Sequence, residues 1–271
     1  MKQRRRLLFY RRMLLLFLAL MMLAAIVGII ALLGSIFSDD SFKVGLCESA
    51  RPLAYLDEKK AAAGFEAEFA ALLAQRLGRE LKIKLLDREE MAEAMRDGSV
   101  DCVISARESI QNAVREFPAT EPFIAYGTVI VSSPDDNSIG DAASLRGKKV
   151  GVMANTDAEY VCEKFLESTA FNVRKYDIEI QPFQDLMLKK NDAVIADELY
   201  AAYMQKTDPD SFKAVGSVYL EKQFGLRLST KISGDYSTQI AGALRELKAG
   251  IELKNLYLQW FGEDLSARGT A

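Results

Sequence analysis

Short apolar runs alternate along most of the chain with amphipathic segments of helical period. In the first half these patterns predict strands at 42–46, 81–85 and 102–105, separated by helices at 65–77 and 89–96. Gly78 follows the first helix directly and Gly98 lies two residues after the second, and glycine commonly ends a helix. The alternating order predicts a parallel sheet that is covered by helices.

The second half repeats this order. It predicts strands at 149–153, 178–180 and 193–196, separated by helices at 157–168 and 183–189. Local echoes, KVGLCE with KVGVMA and GSVDCVIS with KKNDAVIA, indicate a weak internal duplication. Two such α/β units predict two lobes, each with its own mostly parallel sheet. Because ligands bind beyond the carboxyl ends of parallel strands, two facing lobes predict a ligand cleft between them.

Two extended segments, 126–132 and 224–229, are predicted to connect the lobes. After the second segment, helices predicted at 236–248 and 251–261 carry apolar faces that pack back onto the first lobe. We therefore expect lobe one to comprise 41–130 plus 224–271, and lobe two to comprise 131–223.

The N-terminal region has the layout of a membrane anchor. Residues 13–37 are 25 residues without a charge, and about 20 suffice to span a bilayer as a helix. Six basic residues lie within 1–12, whereas Asp39 and Asp40 follow the apolar run. This asymmetry predicts a single-pass protein of the cell membrane, with a cytoplasmic segment at 1–12 and an extracytoplasmic C-terminal domain. A cleaved signal peptide is the alternative, although its apolar region is usually shorter, about 7–15 residues.

Composition excludes several classes of function. Six of the 35 basic residues precede residue 13, which leaves 29 against 38 acidic residues and a charge near −9 for the exported part. Such a surface argues against nucleic acid as a partner. The chain has no histidine, which excludes His-based catalytic triads and His-ligated metals, and its three cysteines are too widely spaced for a zinc site. We expect no cofactor, no metal and no catalytic residues.

A turn after the predicted strand 149–153 is the first candidate binding element. Asn155, Thr156 and Asp157 are turn and helix-capping residues placed between a buried strand and a helix. Such a turn directs backbone N–H groups at one point, which suits a small anion or polar ligand. An ordinary structural turn is the alternative.

Several motifs occur in a fixed order over about 42–262: KVGLCESARPLAYLD, GFEAEFAALLAQRLG, DGSVDCVIS, EPF, SLRGKKVGV, NDAVIADELYAAYM, FGLRLS and LQWFG. In this order the chain resembles the family 3 extracellular solute-binding proteins, the amino-acid-binding components of ABC importers. The resemblance implies an α/β, two-lobed periplasmic-binding-protein type 2 fold. It also implies a monomer that captures an amino acid or similar small polar solute by hinged closure. The implied partners are ABC permease and ATPase subunits.

The resemblance also implies roles for individual residues. Asp197 matches the aspartate that takes the ligand ammonium, although it could instead cap the following helix, and the turn at 155–157 matches the one that meets the ligand carboxylate. Glu48, after the first strand, and Ser105, at the end of the third, complete the polar part of the expected ligand set.

The chain departs from the family pattern at the position of the carboxylate-binding arginine, where it has Ala113. Arg107 is the expected replacement, because an arginine can bind a carboxylate through two parallel hydrogen bonds. Arg51, Arg88 and Arg115 are the alternatives.

Two other functions fit the same scaffold. An extracytoplasmic sensor would need a separate membrane partner, because only 12 residues precede the apolar segment. An enzyme resembling a cyclohexadienyl dehydratase would use Asp157 or Asp197 as a general acid. We expect a binding protein rather than an enzyme.

Overall fold

The structure is a computed structural model that describes residues 21–23, 26, 40–49, 51–164 and 166–265. The predicted membrane segment at 13–37 lies outside these ranges, apart from 21–23 and 26. Within the described ranges, no helix combines the length and the apolar character needed to cross a bilayer.

Between residues 40 and 265, the described part of the chain contains ten strands and eight α-helices. The strands are β1 (Ser41–Leu46), β2 (Tyr55–Leu56), β3 (Ala62–Ala63), β4 (Glu80–Leu85), β5 (Cys102–Val103), β6 (Ala119–Ser132), β7 (Lys149–Met153), β8 (Asn172–Tyr176), β9 (Ala193–Asp197) and β10 (Lys213–Leu228). The helices are α1 (Phe65–Leu77), α2 (Arg88–Asp97), α3 (Glu108–Ala113), α4 (Asp157–Lys164), α5 (Gln181–Met187), α6 (Glu198–Thr207), α7 (Gly234–Ala249) and α8 (Glu252–Phe261).

Eight strands form one continuous sheet in the order β4-β1-β5-β10-β6-β9-β7-β8, so the expectation of two separate sheets was wrong. The long strands β6 and β10 pair antiparallel with each other and join the two halves. Three strand pairs inside the two halves are parallel, as expected from the α/β pattern. These are β1 with β5 in the first half, and β7 with β8 and with β9 in the second. The sheet is mixed because the connecting strands β6 and β10 pair antiparallel with each other and with their neighbours β9 and β5.

Apolar packing divides the sheet into two lobes. Lobe one is built on β1, β4 and β5 with α1, α2, α3, α7 and α8, around a large cluster that includes Phe65, Leu73 and Tyr257. Lobe two is built on β7, β8 and β9 with α4 and α5, around smaller clusters on the two sheet faces. Helix α6 contributes Leu199 to the lobe-one cluster and Ala201 to a lobe-two cluster. The helix thus packs against both lobes.

Most predicted elements are present, with differences at their ends. The strand predicted at 178–180 was wrong, because those residues form the turn that leads into α5, where Pro182 lies near the helix start. The strand of this region is β8, which precedes that turn. Helix α4 ends at Lys164 rather than at 168. Strands β6 and β10 begin earlier than predicted, and the short helix α3 was not predicted.

The two long strands approach each other closely around Gly127. A Cβ atom there would lie 2.4 Å from the Tyr219 carbonyl oxygen, which is too close for any side chain. The Gly127 N–H donates to the buried carboxylate of Glu198 at the start of α6, at 2.9 Å. The pairing register shifts on both sides of Tyr219, and Leu220 adopts a positive φ of 52°. The two strands are therefore tightly packed around Gly127, although their pairing there is irregular.

Candidate functional site

A cavity of about 610 Å³ lies between the lobes, beyond the carboxyl ends of β7 and β9. We call this cavity the cleft. Its floor includes Tyr126 and Phe224, which project from the two connecting strands with ring centroids 5.1 Å apart. Met153 and Asp197, the last residues of β7 and β9, also line it. The cleft thus occupies the place that the α/β pattern predicts for a ligand.

Lobe one contributes positive charge to the cleft. Arg51, Arg88 and Arg107 all line it, and the Arg51 guanidinium lies 4.3 Å from the centroid of the Tyr55 ring. Arg107 stands at the N-cap of α3, where the chain leaves β5. Arg115, the other alternative, is exposed and lies outside the residues that line the cleft.

The two peptide groups that flank Ala106, just before Arg107, are held by three hydrogen bonds. The Ala106 N–H donates to Glu66 Oε1 at 2.8 Å, and the Tyr126 hydroxyl donates to the Ala106 carbonyl. The Arg107 N–H donates to Ser105 Oγ at 3.1 Å. Burial raises the pKa of Glu66 to about 7, with the Ala106 hydrogen bond and the nearby Arg107 acting in the opposite direction. These contacts fix the backbone from which the Arg107 side chain enters the cleft.

Asp197 lies at the opposite wall, at the junction of β9 and α6. Its Oδ1 accepts hydrogen bonds from the N–H groups of Leu199 at 2.9 Å and Tyr200 at 3.1 Å, so it is the N-cap of α6. It also lines the cleft. Desolvation and the neighbouring Glu179 carboxylate together raise the pKa of Asp197 to about 7, while the hydrogen bonds from the Tyr200 and Leu199 N–H groups and the charge of Arg107 act in the opposite direction. The two roles considered for this residue are therefore compatible in one geometry.

The turn at 155–157 also reaches the cleft, but its groups are partly used internally. Asn155 has a left-handed φ of 58°, and its N–H donates to Glu159 Oε2 at 2.6 Å. The Thr156 hydroxyl donates to the Met153 carbonyl at 2.7 Å. The expectation that the amides of this turn are open to an anion was therefore wrong for Asn155, because Glu159 already accepts its N–H.

Two of the predicted ligand residues do not line the cleft. Glu48 is exposed in the loop after β1, outside the lining residues. Ser105 is buried, with 1% of its surface exposed, and its hydroxyl accepts the Arg107 N–H instead of facing the cavity. Ser105 therefore supports the wall from behind. The other five predicted residues, Arg107, Asn155, Thr156, Asp157 and Asp197, line the cleft together.

Sequence reasoning missed two charged residues of the cleft. Lys222 on β10 donates to Asp157 Oδ2 at 2.8 Å, which offsets the negative charge that Asp157 brings to the turn. Glu179, in the turn before α5, lies opposite Arg107, with 3.7 Å between Glu179 Oε2 and Arg107 Nη2. Both contacts join residues that are far apart in the chain, and no local pattern marks them.

The two walls of the cleft carry opposite charges. Three arginines lie on the lobe-one side, whereas Asp157, Glu179 and Asp197 lie on the lobe-two side. A ligand with a carboxylate and an ammonium close together matches this arrangement, because each charged group faces partners of the opposite sign. The cleft volume falls within the range of about 300–1,000 Å³ that is usual for small-molecule sites.

Comparisons with known proteins find relatives of this chain in sequence and in fold. The chain is similar to the L-cystine-binding protein TcyJ of Escherichia coli strain K12, with 27% identity over 236 residues, covering 87% of this chain and 88% of that protein. Among solved structures it is similar to the L-cystine solute receptor of Neisseria gonorrhoeae in its unliganded open conformation, with 24% identity and a TM-score of 0.69, covering 87% of this chain and 98% of that one.

A second solved structure is an ancestral cationic amino acid solute-binding protein, with 22% identity and a TM-score of 0.73, covering 84% of this chain and 99% of that one. These structural likenesses support the two-lobed α/β fold. The sequence model of the bacterial extracellular solute-binding proteins, family 3, matches residues 42–263. Since this match covers most of the chain and its fold and cleft agree, the protein belongs to the bacterial extracellular solute-binding proteins of family 3.

Proposed function

We propose that the protein is an extracytoplasmic solute-binding protein that captures an amino acid in the cleft and delivers it to an ABC importer. The opposite charges of the two cleft walls carry this proposal, together with the family. In the bound state Arg107 holds the α-carboxylate and Asp197 accepts from the α-ammonium. Because these two residues lie on different lobes, only a closed cleft satisfies both, so the ligand shifts the open–closed equilibrium toward closure.

The remaining cleft residues complete the proposed site. Asn155, Thr156 and Asp157 form its rim on lobe two, where Lys222 neutralises Asp157. L-cystine is the first ligand to test, since two similar proteins are named for it, and L-arginine and L-glutamine represent cationic and neutral alternatives. Glu48 and Ser105 have no direct role in this proposal.

A thermal-shift screen of the full chain in detergent tests the function. L-cystine, L-arginine and L-glutamine are compared with propionate and propylamine, which each carry only one of the two charged groups. A ligand at a hundred times its Kd stabilises the folded state by about 2.7 kcal/mol, which raises the melting temperature of a chain this size by several degrees. If none of the amino acids raises the melting temperature, the proposed function fails.

We expect amino acid binding to strengthen as the pH rises from 6 to 8. The ligand ammonium needs an ionised Asp197, and desolvation together with Glu179 raises the pKa of Asp197 to about 7. At pH 6 a proton occupies most Asp197 side chains and must leave before the ammonium binds, so the affinity is about tenfold lower than at pH 8. Isothermal titration calorimetry at several pH values measures this change.

Two variants test whether the change of affinity with pH comes from Asp197. Asp197→Asn cannot titrate and is expected to remove the pH dependence along with much of the affinity. Glu66→Gln is the control for pH dependence alone: Glu66 also has a pKa near 7 but lies behind the Ala106 peptide rather than in the cleft, so this variant is expected to keep the change of affinity with pH. An affinity that stays constant across this pH range in the natural chain contradicts the role given to Asp197.

We also propose that residues 13–37 remain as an uncleaved anchor that keeps the binding domain at the outer face of the membrane. The basic residues at 1–12 and the acidic residues after the apolar run support this orientation. If the anchor is retained, the protein stays with the membrane fraction after alkaline carbonate washing and yields peptides from 1–12. Release into the wash at the mass of a shortened chain contradicts the anchor.

A further inference from the structure

Glu179 forms a contact across the cleft for which the sequence gives no indication. It lies in the turn between β8 and α5 on lobe two, and 28% of its side chain is exposed. Its Oε2 is 3.7 Å from Nη2 of Arg107, which belongs to lobe one. The pair therefore connects the two lobes directly.

The neighbourhood of Glu179 is electrostatically coupled. Glu179 lies near enough to Asp197 to raise the pKa of that carboxyl, and the Arg107 guanidinium lowers the pKa of both acids. Burial is the main cause of the raised pKa of Glu179 itself. The Arg107 guanidinium thus contacts Glu179 and acts at longer range on Asp197, both on lobe two.

Arg107 has donor capacity left in this arrangement. Its Nε atom is buried and has no hydrogen-bond partner among the described residues. A guanidinium has five N–H donors in a planar fork and binds carboxylates best through two parallel hydrogen bonds. A single contact at 3.7 Å is longer than a hydrogen bond, so a ligand carboxylate can make better contacts with Arg107 than Glu179 does.

We propose that Glu179 is a specificity-determining residue that makes the cleft selective for zwitterions. In the ligand-free protein, Glu179 is the resident counter-ion of Arg107. A ligand carboxylate takes over Arg107, and Glu179 is then left beside Asp197 without its cation. Only a ligand that also carries an ammonium group neutralises the two carboxylates that remain on lobe two.

This exchange predicts which solutes the cleft excludes. A plain carboxylate displaces Glu179 from Arg107 but leaves two like charges uncompensated, which is unfavourable in a desolvated site. A plain amine meets Asp197 while Arg107 and Glu179 remain paired, so it gains no contact with lobe one. An amino acid satisfies all three side chains. The inference rests on the proposed function. It assigns to Glu179 the rejection of analogues that carry only the carboxylate or only the ammonium group.

The test compares L-cystine with N,N′-diacetyl-L-cystine, which keeps the carboxylates and lacks the ammonium groups. Isothermal titration calorimetry of the full chain at pH 8 gives the ratio of the two affinities for the natural chain, Glu179→Gln and Glu167→Gln. Glu167 is an exposed lobe-two glutamate outside the cleft, so its variant is the matched control for the loss of one negative charge.

We expect the preference for L-cystine to fall about fivefold or more in Glu179→Gln, which corresponds to the loss of a partly exposed ion pair. Glu167→Gln is expected to keep the preference of the natural chain. Equal preferences in the two variants overturn the proposal.

A ligand-free measurement separates this inference from the proposed function. Spin labels on Lys59→Cys in lobe one and Met187→Cys in lobe two, with Cys47→Ser to remove the half-buried thiol, report the distance across the cleft. Glu179→Gln is expected to shift the distances to longer values, because the contact between the lobes is lost. If L-cystine does not bind the natural chain, the ligand assignment fails, whereas an unchanged distance distribution in Glu179→Gln overturns the ion-pair exchange itself.

Discussion

Replacing Asp197 with asparagine should weaken amino acid binding by about 1.5–3 kcal/mol, a loss of at least tenfold in affinity. The carboxylate faces the proposed position of the ligand ammonium in a largely desolvated wall, where a charged hydrogen bond counts more than it does in water. Calorimetric titration of the natural chain and the variant with L-cystine at pH 8 measures the loss. Equal affinities would show that Asp197 is only a helix cap.

The choice of replacement separates the two roles of Asp197. Asparagine is a good N-cap and can still accept from the N–H groups of Leu199 and Tyr200, whereas alanine cannot. We expect Asp197→Ala to lose the affinity and also about 0.5–2 kcal/mol of unfolding free energy through the missing cap. Only the loss of affinity is shared by both variants.

Asp197→Asn should leave the protein at least as stable as the natural chain at pH 8. The pKa of Asp197 is about 7 when folded and lower when unfolded, so above pH 7 the ionised carboxylate is less favourable in the folded state. Removing that charge relieves the cost. A variant that binds less tightly yet unfolds at the same or higher denaturant concentration is the pattern expected of a functional residue.

Phe65→Ala is expected to cost about 3–5 kcal/mol of unfolding free energy. Phe65 is fully buried at the start of α1, and its ring centroid lies 5.1–6.4 Å from the rings of Phe69, Phe123, Tyr257 and Phe261. These aromatic residues come from α1, β6 and α8, so the cavity left by alanine would open at the junction of three elements. Urea unfolding followed by circular dichroism measures the change.

Leu258→Ala is the matched control for this prediction. Leu258 lies on α8, the helix that contributes Tyr257 and Phe261 to the aromatic cluster, but 40% of its surface is exposed, so its truncation removes little buried area. We expect that variant to lose less than about 1 kcal/mol. A loss of similar size in the two variants would mean that the aromatic cluster does not contribute specifically to the stability of lobe one.

The sequence was most informative where one element carries a strong period of its own. Helix α1 lies between Gly64 and Gly78 as predicted, and β1, β4, α7 and α8 differ from the predicted ranges by one or two residues. Segments that are defined by their partners were harder to predict. The first half of β10 is partly exposed and has no clean alternation, so its pairing with β6 makes it a strand.

The cleft residues divide in the same way, into those marked by the local sequence and those defined by contacts with distant residues. Asp197 and the turn at 155–157 directly follow predicted strands, and a residue at the end of a parallel strand is already close to the expected ligand position. Glu179 and Lys222 reach the cleft through contacts with Arg107 and Asp157, and these contacts depend on how the chain closes in space. Glu48 was misplaced because the loop after β1 turns it to solvent.

The paired strands β6 and β10 lie in the middle of the sheet and join the two lobes, so their pairing bears on the closure proposed above. Their pairing register shifts on both sides of Tyr219, whereas the parallel pairs β1 with β5 and β7 with β8 show no such shift. In the closure proposed above, the sheet would bend most easily where this pairing is irregular, because fewer ladder hydrogen bonds have to change there. The separation of the charged walls would then depend on the angle between the lobes, so residues 216–219, which do not line the cleft, could alter the permitted length of a solute.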